Sequence, residues 1–165
     1  MRKQLTIILV LFTSFIFSQG LKTSGKIIVD ENGNEVLLRG YTPGGWLVME
    51  GYMMQSEGTA GAQHEFVEKF TELVGEEKTN QFFAKWRENH FMQEDVDSLA
   101  AWGFNSIRVP LHYNLFTLPI QEEPNSDQNT WLETGFDIID NVLEWAEPHQ
   151  MYVCLLYTSP SPRDS

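Results

Sequence analysis

Hydrophobic positions change their spacing several times along the chain, and each change marks an element. Residues 5–17 form an apolar stretch behind Arg2 and Lys3. Two short apolar runs then flank "DENGN" in "KIIVDENGNEVLLRG". They predict strands near 26–29 and 35–39, joined at Asn32-Gly33, because a tight hairpin turn needs positive φ at both central residues. "YTPGGWLVMEGYMMQ" follows as a loop unusually rich in aromatics and methionines. Period-3.6 spacing then predicts a helix over 64–75, with Phe66, Val67, Phe70, Leu73 and Val74 inward and Gly75 as its stop. A second helix covers 76–91 with Phe82, Phe83 and Trp86 inward. A third covers 93–103 with Val96, Leu99 and Ala100 inward and Gly103 as terminator. "FNSIRVP" is a strand ending at Pro110, and residues 111–131 form a loop too long for a plain connection. "TGFDIIDNVLEWAEPHQ" is a fourth helix, with Phe136, Ile139, Val142, Leu143 and Ala146 on one face, and "MYV" opens another strand. This alternation implies an α/β fold with parallel strands and crossover helices. The long loop leaves the carboxyl end of its strand, where such sheets keep their sites.

The N-terminal stretch changes the picture first. A positive start, an apolar run too short for a bilayer span of about 20 residues, and a small residue at Ser18 form a secretory signal pattern. The protein is therefore expected outside the cytoplasm, in a periplasmic or extracellular location. An uncleaved anchor is the other reading of the same residues. The formal charge of −12 over 165 residues disfavours phosphate backbones and anionic lipid, so neither nucleic acid nor, after signal cleavage, a membrane is an expected partner. Cys154 is the only cysteine, which removes disulfides and cysteine-based metal sites from consideration. His64, His90 and His149 lack metal-ligand spacing, and no phosphate loop, nucleophile elbow or dinucleotide fingerprint is present. No metal or cofactor is implied.

Five residues carry candidate chemistry. Arg108 lies late in an apolar strand, where a guanidinium is costly unless paired. It either holds a carboxylate at a catalytic centre, makes a structural ion pair, or lies on an exposed edge. In "GGWLVME", Trp46 either stacks on a sugar ring or packs in the core, and Glu50 either accepts sugar hydroxyls or is solvated. His112 and Tyr113 either bind substrate and move protons or pack the loop. "EEPNSDQNTW" does not have calcium-loop spacing and is read as a solvated loop, and Glu57 as a solvated charge.

Three segments in order, "GNEVLLRGYTPGGWLVMEGYM", "DVDSLAAWGFNSIRVPLHYNLF" and "FDIIDNVLEWAEPHQMYV", resemble the first third of glycoside hydrolase family 5. This is the cellulase family, and the likeness is to its exo-β-glucanase-like members. The resemblance covers about residues 26–153. It implies the N-terminal portion of a (β/α)8 TIM barrel, an incomplete barrel in this chain. It also implies a retaining mechanism with an acid/base and a nucleophile glutamate, about 5–5.5 Å apart, at the ends of the fourth and seventh strands. Arg108 matches the family arginine that supports the nucleophile. Glu50 matches a sugar-contacting position of the exo-glucanase branch, with Trp46 in the "GGW" beside it. His112 and Tyr113 fall where family members line the site. The implied substrate is a β-glucan or β-glucoside.

The chain departs from the family after Val153. Members continue into more strand, an Asp-x-His and a Pro-Gly, whereas here "CLLYTSPSPRDS" follows. Codons for residues 154–164 can be written to match a transposase adaptor used for sequencing libraries. The expected division is therefore a signal peptide over 1–18, part of a glycoside hydrolase barrel over 19–153, and a non-native tail over 154–165. Both catalytic glutamates then lie outside the chain, and the fragment itself is expected to be inactive. A non-catalytic carbohydrate-binding relative is the alternative.

Overall fold

The computed structural model describes residues 20–56, 58–118 and 130–157. The signal segment, Glu57, most of the loop after Pro110 and the last eight residues of the tail lie outside the described residues. The chain divides into two compact units between Leu37 and Leu38.

In the first unit, β1 (Lys22–Ser24) and β2 (Ile27–Val29) pair antiparallel. A turn forms at Asn32-Gly33, but only Gly33 takes positive φ, at +83°, so it is not the expected turn with both central residues left-handed. Its frame is the Asp30 carboxylate, which accepts from the backbone N–H of Asn32 and of Asn34 at 2.9 and 2.8 Å. The arm expected over 35–39 is a correction. It shrinks to a Val29–Glu35 bridge and a hydrogen bond from Val36 N–H to the Ile28 carbonyl. The reason lies in the second unit, where the backbone from Arg39 onward bonds elsewhere. Arg39 N–H donates to Asn105 Oδ1 at 2.7 Å, and its carbonyl accepts from Asn105 and Ser106.

The second unit is built on a three-stranded parallel sheet in the order β3 (Gly40–Tyr41), β4 (Ser106–Pro110), β5 (Tyr152–Leu156). Helices α1 (Gln63–Val74), α2 (Glu76–His90) and α3 (Gln93–Ala101) connect β3 to β4, and α4 (Glu133–Ala146) connects β4 to β5. All four predicted helices are present, and Gly75 and Gly103 stop α1 and α3 as expected. The core joins one face of the sheet to α3 and α4: Ile107 and Val109 meet Val96, Leu99, Ile139 and Val142. Strand β5 continues three residues past the expected join at Val153. Cys154, Leu155 and Leu156 are small or apolar and pair in register with Arg108, Val109 and Pro110.

Four of the residues expected inward are not. Leu73 and Val74 are exposed at the end of α1, a helix with no buried residue. Phe136 and Leu143 are exposed on α4. Leu143 faces an open groove of about 500 Å³ with Met151 and Val153, which no described element fills. Helical periodicity marks an apolar stripe but not how much of it a partner covers.

Candidate active site

Alternation along a strand sends successive side chains to opposite faces. Ile107 and Val109 are therefore buried under the helices, and Arg108 between them points to the other face. Strand β4 is the middle strand, so Arg108 is not on an edge. Among the described residues its side chain makes no hydrogen bond or ion pair, and it is exposed. Of the three readings weighed for Arg108, the exposed edge and the structural ion pair find no support here. What the sequence treated as a buried cation is a cation on an uncovered sheet face. In-register pairing places Ser106 two residues before it and Cys154 beside it on that face.

The carboxyl ends of β3 and β4 both feed candidate residues. After β3 the chain runs through Gly44-Gly45-Trp46 to Glu50. Trp46 is 3% exposed and packs on Phe91 at 5.3 Å, and its Nε1–H donates to the Arg87 carbonyl at 2.9 Å. That carbonyl belongs to the last turn of α2, where carbonyls lack intrahelical partners, so Trp46 caps the helix. Neither face of its indole is open for stacking on a sugar. Glu50 is exposed and accepts from Tyr52 Oη–H at 3.1 Å. This bond, followed by the carboxylate's charge, pushes the Tyr52 phenol above its ordinary value.

After β4, a 3-10 turn over Tyr113–Leu115 carries the other pair. His112 is half-buried, and its ring stacks on Tyr113 at 4.7 Å. Its Nδ1 accepts from Asn114 N–H at a long 3.4 Å. Tyr113 is exposed. Glu50 and His112 thus lie on loops that leave the carboxyl ends of β3 and β4.

Several contributors have no linear signal. Tyr52 was read only as part of an aromatic loop, yet it is the partner of Glu50. Gln63 Oε1 accepts from Met49 N–H at 2.9 Å. Trp86 Nε1–H reaches the Gly45 and Trp46 carbonyls at 3.1 and 3.2 Å, and His90 Nε2 reaches the Gly44 carbonyl at 3.1 Å. These pairs are 14 to 46 residues apart in sequence. Only the i, i+4 spacing of Phe82, Trp86 and His90 hinted at one helix face. His149, which lacks metal-ligand spacing, is 2.6 Å from Asp97 and ties the turn after α4 to α3.

A family model described as cellulase (glycosyl hydrolase family 5) matches residues 49–162. The chain belongs to glycosyl hydrolase family 5. The match includes Glu50, Arg108, His112 and Tyr113. Among curated proteins, a beta-xylosidase of Phanerodontia chrysosporium is 34% identical over 146 residues, 88% of this chain and 29% of the relative. A glucan 1,3-beta-glucosidase of Schizosaccharomyces pombe is 26% identical over 152 residues, 86% of this chain and 35% of the relative. A probable glucan endo-1,6-beta-glucosidase of Aspergillus flavus is 24% identical over 145 residues, covering 82% and 36%. The chain thus spans about a third of the length of the curated relatives it matches. Family 5 membership implies a (β/α)8 barrel. The described residues form a three-stranded parallel part of one and no closed barrel. Among the described residues, no helix is long and apolar enough to cross a membrane.

Proposed function

We propose that the protein is a secreted hydrolase of β-glycosidic bonds in glucans or oligosaccharides, working by a retaining mechanism with two glutamates. The observation that carries this reading is Arg108. It is an exposed guanidinium on the middle parallel strand of a family 5 chain, on the face away from the helices. A planar fork of donors there is suited to hold a carboxylate nucleophile by charge-assisted bonds. Glu50, oriented by Tyr52, would accept hydroxyls of the sugar, and His112 and Tyr113 would line the opposite part of the cleft. Trp46 enters as the anchor of its loop instead of as a stacking surface. The relatives' names supply the candidate substrates: β-1,3-glucans, β-1,6-glucans and β-xylosides. Arg108 supports chemistry but does not perform it, because an arginine is neither the acid/base nor the nucleophile.

The same reading treats residues 1–18 as the export signal and 154–165 as foreign sequence, with both glutamates beyond Val153. Reading the source DNA across codon 153 without transposase tagging supplies the full-length protein. That protein is expected to cleave an aryl β-glucoside or β-xyloside with retention of anomeric configuration, while the 165-residue chain gives no turnover. Inversion, or turnover by the short chain, would contradict the mechanism. Binding without cleavage by the full-length protein would favour a non-catalytic carbohydrate-binding relative.

A further inference from the structure

Helices α1 and α2 contribute little to the core. Helix α1 has no buried residue and α2 has only Thr79. The pair nevertheless supplies an unusual set of long-range hydrogen bonds, all directed at one segment. The last turns of α2 hold the Gly44, Gly45 and Trp46 carbonyls through the side chains of His90 and Trp86. In return, the Arg87 carbonyl receives the Trp46 indole. Helix α1 begins with Gln63, whose side-chain oxygen holds Met49 N–H, the peptide just before Glu50. The return path is equally tight. A Cβ at Gly51 would lie 3.0 Å from the Ala60 carbonyl and 3.1 Å from that of Gly61. The backbone before Glu50 is thus held by side chains of α1 and α2, and the backbone after it packs closely on the Ala60–Gly61 segment that leads into α1.

We propose that the α1–α2 hairpin is the positioning element for Glu50. Gln63, Trp86 and His90 act as positioning residues through the loop backbone, and set where the carboxylate meets a hydroxyl of a β-glucoside. The inference rests on the reading of Glu50 as a substrate-binding group. The bonds are made to main chain, so they transmit position without contacting the ligand. Trp86 and His90 are one helical turn apart, and their rings pack at 4.6 Å, so they act as one rigid clamp.

The test is a double-mutant cycle in the full-length protein, with an aryl β-glucoside as substrate and methyl β-glucoside as binding probe. Gln63→Leu, Trp86→Phe and His90→Ala are each made alone and with Glu50→Ala. Each single change is expected to raise KM, or weaken probe binding, by about fivefold, the scale of one hydrogen bond, with a smaller effect on kcat. The effect should vanish in the Glu50→Ala background, because the bonds act only through that carboxylate. Gln63→Glu and His90→Gln keep a bonding group and should restore most of the affinity. Additive effects in the cycle, unchanged KM in Gln63→Leu, or losses that track the thermal midpoint would overturn the proposal. A wild type that neither cleaves nor binds β-glucosides removes the functional reading along with it. A wild type that cleaves while its variants are additive removes only the hairpin's role.

Discussion

The two faces of β4 differ sharply in what covers them. Ile107 and Val109 leave none of their surface to solvent, whereas Arg108 between them is exposed and unpaired among the described residues. The helix-facing side is finished by α3 and α4 within this chain. On the other side the described residues bury Ser106 but leave Arg108 open, and in a barrel that face is covered when further strands close the sheet. Burial and exposure are thus separated between neighbouring residues of one strand, Ile107 and Val109 on one side and Arg108 on the other.

That separation can be broken or sharpened by substitution in the full-length protein. Arg108→Ala carries the largest expected effect, a fall in kcat of about 10²-fold as the group it positions is misplaced, with the thermal midpoint little changed. Comparable losses of stability and kcat would mean that both faces of β4 serve the core. Ile107→Ala comes next. It should cost about 2–5 kcal/mol of stability by denaturant titration and leave turnover per folded molecule near wild type. A small cost would mean that the helix-facing side is less tightly packed than its burial suggests.

The smallest effect concerns the start of α1. Glu65 accepts from Gly61 N–H at 2.8 Å and from Ala62 N–H at 3.3 Å, and these bonds hold its carboxyl below its ordinary value of 4.5. A carboxylate depressed in the folded state contributes stability above its unfolded value. That contribution is lost as pH falls through the folded one. Amide exchange at the first turn of α1 should therefore accelerate as pH drops below about 4.5, after correction for intrinsic rates. Glu65→Gln, which does not titrate, should show no such step. A step that persists in Glu65→Gln would assign it to another group.

The helices were legible because each repeats apolar residues at a period no strand shares, and because Gly75 and Gly103 punctuate them. Strand β4 was legible from "SIRVP", and Arg108 stood out because a cation interrupts an apolar run. The first parallel strand was not. Gly40-Tyr41 has no pattern of its own, and its identity comes from pairing with Ser106-Ile107. "EVLLR" had the stronger local strand signal, but its continuation bonds β4 instead.

The same division runs through the site. The sequence alone determined which residue types were available and which family pattern they follow, since Glu50, Arg108, His112 and Tyr113 lie inside recognisable segments. Only the tertiary structure decided that Trp46 is an anchor, because burial depends on Phe91 and Arg87, 45 and 41 residues away. Only it brought Gln63, Trp86 and His90 to the loop before Glu50. Local periodicity records which face a residue prefers, while a contact between distant segments depends on how the whole sheet and its helices pack.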